Sequence, residues 1–236
     1  MNTELFPKDS RGKSELGWLH SRFSFSFANY YNPERMGFGL LRVLNDDIVE
    51  PETGFGTHPH DNMEIITIII DGALEHKDSM GSGSIIKQGE VQVMSAGTGI
   101  THSEMNPSNK NEVSLLQLWI FPKEKNITLR YDQKYFPLEE RKNQLKTVAS
   151  GFNLKDSLYI HQNAAITLGH AEAGKEINYK NIKPGNGYYL FVISGKINLL
   201  NQELSDRDAI GITETEQFSI KAGEESRFVI IEVPMN

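Results

Sequence analysis

Short apolar runs separated by turn residues dominate the chain of 236 residues. The stretch "RFSFSFANYY" alternates strictly, so Phe23, Phe25 and Phe27 share one side of a predicted strand, where we expect core side chains rather than substrate-binding ones. Other predicted strands are "GFGLLRVLN", "MEIITIII" and "VSLLQLWIFP". Asp71-Gly72, which lies between two apolar runs, predicts a hairpin. Many short strands at regular spacing predict an all-β sandwich or barrel.

One stretch departs from this pattern. "DQKYFPLEERKNQLKTVAS" is predicted to be helical or irregular, and Pro137 followed by Leu138-Glu139-Glu140 is typical of a helix start. We predict a linker at about residues 125–150, which divides the chain into domains 1–130 and 131–236. The halves echo each other weakly, because "ITIIIDGALEH" and "YLFVISGKINL" align Gly72 with Gly195. This repeat favours two barrels in tandem.

Composition narrows the class of protein. The net charge is −7 and Lys and Arg are scattered, which disfavours direct nucleic-acid binding. The absence of cysteine excludes disulfides, thiolate metal sites and thiol chemistry. No apolar run is long enough for a membrane span, and the N-terminus is polar. We expect a cytoplasmic monomer that does not associate with membranes.

The rare histidines carry the candidate chemistry. His58 and His60 in "GTHPHDNMEI" stand two residues apart, so in a strand their rings project to one face. His102 and Glu104 in "GTGITHSEMNP" have the same spacing. If these segments are neighbouring strands, three imidazoles and one carboxylate converge. This set suits a divalent first-row metal, with open positions on octahedral iron or manganese.

The stretch from Gly54 to Ser108 resembles the metal-binding region of the pirin family of cupins. The resemblance rests on the histidine pair, on "EHKDSMG" and on "SAGTGITHSE", and it extends from about Ser10 to Phe136. It implies a bicupin of two jelly-roll barrels. It also implies one metal in the first barrel and a degenerate second barrel without metal. The metal is expected to be Fe(II), with Mn, Co, Ni, Cu or Zn as alternatives, and its ligands match His58, His60, His102 and Glu104.

The carboxylate ligand has a second candidate. The general cupin pattern HxHxxxE fits Glu64, which is four residues after His60 and would share its face in a regular strand. Pirins take their carboxylate from the position of Glu104. We therefore expect Glu104 to be the ligand and Glu64 to hydrogen-bond a ligand histidine or bound water, with both carboxylates as candidate catalytic groups.

The resemblance implies two alternative functions. The first is a dioxygenase that opens the central ring of a flavonol such as quercetin with O₂ and releases carbon monoxide. The second is a non-enzymatic regulator whose metal changes a protein-binding surface. The remaining histidines carry weaker signals, since we expect His76 to be an exposed loop residue, His20 to lie at the surface, and His161 and His170 to have no chemical role.

Overall fold

Strands make up nearly all regular structure in the computed structural model, which describes residues 1–236. The first half contains β1 (Asn2–Phe6), β2 (Gly12–Glu15), β3 (Leu19–Phe23), β4 (Leu41–Val49), β5 (Gly54–His60), β6 (Glu64–Asp71), β7 (Ala73–Asp78), β8 (Gly83–Lys87), β9 (Glu90–Ser95), β10 (Ile100–Met105), β11 (Val113–Ile120) and β12 (Arg130–Tyr135). The second half contains β13 (Gln144–Ser150), β14 (Leu158–Tyr159), β15 (Ala165–Ala171), β16 (Glu176–Lys180), β17 (Gly187–Ser194), β18 (Ile197–Leu199), β19 (Gln202–Leu204), β20 (Ala209–Thr213), β21 (Gln217–Ala222) and β22 (Ser226–Val233).

Each half pairs a seven-stranded sheet with a four-stranded one. The large sheets have the orders β12-β9-β6-β11-β4-β3-β2 and β1-β20-β17-β22-β15-β13-β14. The small sheets have the orders β5-β10-β7-β8 and β16-β21-β18-β19. The two halves therefore repeat one arrangement, and the prediction of an all-β protein with two tandem jelly rolls is confirmed.

Alternation along the central strands explains how the barrels join. On β17, Tyr188 and Leu190 pack inside the second barrel, whereas Tyr189 and Phe191 belong to the largest core cluster. That cluster also contains residues of the first large sheet, such as Leu116 on β11. The second large sheet is therefore apolar on both faces at β17, and one face of each large sheet forms the joint between the barrels.

Strand pairing also crosses the predicted domain boundary at residue 130. β1 pairs with β20 at the edge of the second large sheet, and β12 pairs with β9 at the matching edge of the first. Each large sheet therefore contains a strand from the other side of residue 130. The domain division at that residue stays a prediction.

Two local predictions are wrong. Asp71-Gly72 does not close a hairpin, because β6 and β7 belong to different sheets. Gly72 has φ +79°, and a Cβ there would lie 2.8 Å from the backbone oxygen of Glu112, so the residue is a glycine-requiring corner between sheets. Gly195, with φ +90°, makes the same corner after β17. The stretch 132–150, predicted to be helical or irregular with a helix start at Pro137, contains most of β12 and all of β13, with a single 3₁₀ turn, Leu138–Arg141, between them; the only other helical turn is Lys8–Ser10. No helix is long and apolar enough to cross a membrane.

Candidate metal centre

Two neighbouring strands of the first small sheet bring three histidines together. β5 and β10 are antiparallel, with His58 opposite His102 and His60 opposite Ile100. One ring nitrogen from each histidine lies within 4.8 Å of the others. Nε2 of His102 is 3.0 Å from Nε2 of His58. The arrangement fits three nitrogen ligands of one metal ion.

Glu104 is the buried carboxylate beside these rings, and the strand register shifts between His102 and Glu104. Its Oε2 accepts a hydrogen bond of 2.9 Å from Nε2 of Gln117, whereas its Oε1 is buried with no partner. A buried carboxylate oxygen without a donor is costly, and a cation would satisfy it. Ligand atoms of Glu104 and His102 also group within 4.8 Å of His76, rather than of His58 and His60. The four predicted ligands and His76 thus form two triads that share His102, and Glu104 belongs to the triad with His76.

The electrostatics of the site also fit a cation. Burial, and then the neighbouring imidazoles, lower the pKa of His102 to about 2, and burial lowers the pKa of His60 to about 4. Both rings are therefore neutral near pH 7, as a metal ligand must be. Burial, and then the charge of Asp47, raise the pKa of Glu104 to about 7. Neutral donors and a carboxylate without a counter-ion are what a divalent ion would stabilise, so these residues fit the metal that the resemblance implies.

A cavity of about 300 Å³ opens onto the histidines. Its aromatic lining residues are Trp18, Phe23, Phe27, Phe55 and Trp119. Trp119 contacts His60 edge-on at 4.8 Å between ring centroids. The volume lies at the lower end of the usual range for small-molecule sites, and aromatic walls suit flat apolar ligands.

The prediction that all three phenylalanines are core is wrong for Phe27, which is only partly buried and lines this cavity. Phe23 is buried as predicted, but it lines the cavity as well. Only Phe25 packs in the joint, where its ring lies 5.3 Å from that of Tyr189. The strand β3 ends at Phe23, so the strict alternation in the sequence does not continue as one regular strand.

Asp47 is a site residue that the sequence pattern did not reveal. It is buried on β4, lines the same cavity and accepts a hydrogen bond from the Ser21 hydroxyl. Burial, against the effect of that hydrogen bond, raises its pKa to about 7. The sequence signal was the polar run Asn45-Asp46-Asp47 between apolar residues of β4, because a buried carboxylate is costly unless it has a hydrogen-bond or charge partner.

Glu64 makes no hydrogen bond to the ligand histidines, so that part of its predicted role is wrong, whereas a bond to bound water stays a prediction because its Oε1 is buried without a partner. Its Oε2 accepts bonds of 3.0 Å from the Ser95 hydroxyl and from the backbone N–H of His161. The reason is topological, because β5 ends at His60 in the small sheet and β6 begins at Glu64 in the large one. Counting by twos from His60 to Glu64 therefore does not describe one face.

The other histidines divide into buried and accessible ones. His76 is fully buried on β7, so the expectation of an exposed loop residue is wrong. His170 is also buried, and its Nε2 lies 2.9 Å from Oε1 of Glu225. His20 is partly exposed beside Glu15, and His161 contributes its backbone N–H to Glu64.

Two family models and several relatives match this chain. The family model described as Pirin matches residues 6–120, and that of the quercetinase C-terminal cupin domain matches residues 147–233. A protein named quercetin 2,3-dioxygenase from Escherichia coli K12 is 40% identical over 226 residues, covering 96% of each chain. A pirin-like protein of Caulobacter vibrioides is 38% identical over 227 residues, covering 96% of this chain and 97% of its own.

Solved structures agree with these matches. The crystal structure of YhhW from Escherichia coli superposes with a TM-score of 0.94 at 38% identity, covering 99% of this chain and 98% of that one. The same bacterial pirin in complex with nickel(II) superposes with a TM-score of 0.93 at 38% identity, covering 99% of each chain.

Proposed function

The chain belongs to the pirin family of cupins, and we propose that it is a metal-dependent dioxygenase of quercetinase type. In this proposal the substrate is a flavonol or a related phenol or enediol, the second substrate is O₂, and a flavonol ring is opened with release of carbon monoxide. The observation that carries the proposal is the position of three imidazoles and a partnerless carboxylate oxygen at an aromatic-walled cavity.

The ligands in this proposal are His58, His60, His102 and Glu104, with Fe(II) as the metal. When bound, the metal would act as a Lewis acid toward a deprotonated substrate hydroxyl. Imidazole and carboxylate ligands accept several first-row ions, so loading is tested with several metals.

The chain's own residues supply orientation and proton transfer. The rings of Phe27 and Trp119, whose centroids lie 5.2 Å apart, would hold the flat substrate rings and exclude water. Two carboxylates reach the cavity, Glu104 and Asp47, and burial raises the pKa of each to about 7. Asp47 is not among the proposed ligands, so a pKa near the working pH lets it take a hydroxyl proton and return it. Glu104 remains the predicted base, and its position beside the substrate hydroxyl in this proposal, rather than its pKa, supports that role, because a bound cation would lower its pKa.

Oxygen uptake tests the proposal. Protein loaded with Fe(II), Mn(II), Co(II), Ni(II) or Cu(II) is mixed with quercetin, and O₂ consumption and carbon monoxide release are followed. Free metal at the same concentration and the ligand variant His102→Ala with Glu104→Gln serve as controls. We expect flavonol-dependent uptake with at least one metal, matched by carbon monoxide. Metal-loaded protein that consumes no O₂ with any metal or flavonol would contradict the enzyme and leave the metal-dependent binding protein as the function.

A further inference from the structure

The segment "EHKD" of β7 buries two ionisable side chains, although such side chains usually lie at the surface. The side chains of His76 and Asp78 have no exposed surface, whereas Lys77 between them is exposed. His76 and Asp78 follow Leu74 on one face at intervals of two, so ionisable groups occupy core positions of this strand. Buried groups of this kind are retained at a cost and need hydrogen-bond partners.

His76 lies between a carboxylate and a predicted metal ligand. Its Nε2 is 3.2 Å from Oδ2 of Asp78, and its Nδ1 is 3.4 Å from Nδ1 of His102. The ring of Tyr131 stacks on His76 at 4.7 Å between centroids. Because Oδ1 of Asp78 accepts the backbone N–H groups of Met80 and Ser82, at 2.9 and 3.0 Å, the carboxylate orientation is fixed as well.

These contacts fix which ring nitrogens of His76 and His102 carry hydrogen, and they leave one nitrogen of His102 with a lone pair for a metal. The carboxylate of Asp78 accepts, so Nε2 of His76 carries the hydrogen and its Nδ1 accepts. Nδ1 of His102 must then donate, which leaves Nε2 of His102 without a hydrogen. That Nε2 is the atom 3.0 Å from Nε2 of His58, within the three-histidine group.

From this chain of contacts we infer that His76 and Asp78 are positioning residues of the metal centre, which fix the tautomer and ring orientation of His102. The inference rests on the proposed metal site but not on the proposed flavonol chemistry. Metal-binding histidines usually donate their second N–H to an acceptor, and loss of that acceptor weakens metal binding about 10- to 100-fold.

A competing interpretation makes His76 itself a ligand, in the triad with His102 and Glu104. The cavity argues against it. His58, His60, His102 and Glu104 all line the cavity, whereas His76 does not. Nε2 of His102 faces His58, whereas His76 lies on the Nδ1 side of the same ring and is stacked against Tyr131.

The test measures the affinity and stoichiometry of Co(II) and Ni(II), by competition with a chromophoric chelator, on the full-length protein. His76→Phe keeps a ring against Tyr131 but removes the acceptor, and we expect affinity to fall about 10- to 100-fold with one ion still bound at saturation. His76→Asn keeps an acceptor oxygen near the position of Nδ1, and we expect it to recover most of the affinity. His170→Asn removes the buried histidine that pairs with Glu225 in the other barrel, and it should bind metal like wild type.

Asp78→Asn tests the tautomer directly. The Asn oxygen must accept from the backbone N–H groups of Met80 and Ser82, so its NH₂ group donates to Nε2 of His76. The hydrogen of His76 then lies on Nδ1, and it points toward Nδ1 of His102. We expect a loss comparable to that of His76→Phe in the wild-type background and no further loss when added to His76→Asn.

Several results would overturn the inference. Wild-type affinity in both His76→Phe and Asp78→Asn would remove any positioning role. Two ions per wild-type chain, or one fewer histidine ligand in the Co(II) X-ray absorption spectrum of His76→Asn, would make His76 a ligand. Absence of flavonol turnover in wild type would contradict the proposed function without affecting any of these measurements.

Discussion

The two barrels have the same strand arrangement but different side chains in their interiors. Their small sheets have matching strand orders, so β5 and β10 of the first correspond to β16 and β21 of the second. The first pair carries His58, His60, His102 and Glu104, and the second pair carries the core residues Ile177, Tyr179, Phe218 and Ile220. The same architecture therefore supports a polar centre beside a cavity in one copy and a packed apolar interior in the other, and function belongs to the side chains rather than to the fold.

Buried carboxylates show the same difference. Glu232 in the second barrel accepts from the Tyr179 hydroxyl, from Nδ2 of Asn186 and from the backbone N–H groups of Ile182 and Lys183. Glu104 in the first barrel accepts one bond, from Gln117, and keeps one oxygen without a partner. A carboxylate surrounded by donors stabilises the fold, whereas one left incomplete has capacity for a ligand.

The largest expected effect is loss of metal from the first barrel. His102→Ala combined with Glu104→Gln should leave a soluble protein whose metal content falls from about one ion per chain to nearly none, because both triads lose their shared ligand. Elemental analysis of protein purified without an affinity tag measures this. The matched pair His170→Ala with Glu225→Gln in the second barrel should keep its metal, and full occupancy in the first double variant would refute the ligand assignment.

Separating the barrels should be nearly as severe. A fragment that ends at Lys125 keeps the ligands but loses β12, which pairs with β9, and β20, which pairs with β1. It also loses Tyr189 and Phe191, which cover the joint between the barrels. We expect poor solubility with residual metal affinity, measured by size-exclusion chromatography and metal titration against the full chain. A well-behaved monomeric fragment would show that the first barrel folds independently.

A smaller effect separates the two carboxylates. Glu232→Gln replaces one acceptor oxygen with an NH₂ group, which then faces groups that also donate hydrogen bonds. We expect this substitution to lower the free energy of unfolding by about 3–5 kcal/mol. Glu104→Gln can still accept from Gln117, so it should change the stability of metal-free protein by less than about 1 kcal/mol. Urea unfolding in the presence of a chelator compares them. Equal losses in the two variants would mean that Glu104 is as structural as Glu232.

Local spacing predicted the parts of the site that lie within single strands. The period of two brought His58, His60 and His102 into one group, whereas Glu104 groups with His102 and His76 and not with the histidine pair. The assignment of all four as ligands of one metal stays a prediction. The alternation of apolar runs likewise predicted the all-β fold.

Features that depend on a change of sheet were not predictable from local pattern. The chain changes sheet between His60 and Glu64 and again at Gly72, which misplaced Glu64 and produced a false hairpin. His76 was expected in an exposed loop because it follows the Asp71-Gly72 turn, although β7 places it on a buried face. Phe27 looked like core because a pattern does not distinguish a packed interior from the wall of a cavity.

The smallest expected effect concerns Glu64, which lies where the barrels meet. Burial, opposed by the bonds from His161 and Ser95, raises the pKa of this carboxyl to about 7 from 4.5. The folded state therefore holds the proton more tightly than the unfolded chain. The stability that this group contributes is complete below about pH 4.5 and is lost as the pH rises through 7. A pKa that is higher by one in the folded state corresponds to about 1.4 kcal/mol, which bounds the contribution of Glu64 at about 3 kcal/mol.

Glu64→Gln should remove this pH dependence without affecting the metal centre. The Gln oxygen can accept from both the His161 N–H and the Ser95 hydroxyl, and the side chain cannot ionise. We expect the metal-free variant to match wild type at pH 5 and to exceed its free energy of unfolding by about 1–3 kcal/mol at pH 8, because only wild type then buries a charge. Urea unfolding at both pH values measures the difference between the proteins, which cancels the parallel titration of Asp47 and Glu104. Identical pH profiles of wild type and Glu64→Gln would show that Glu64 is ionised in the fold and that its charge is compensated. A loss of metal affinity in Glu64→Gln would show that Glu64 acts at the metal centre after all.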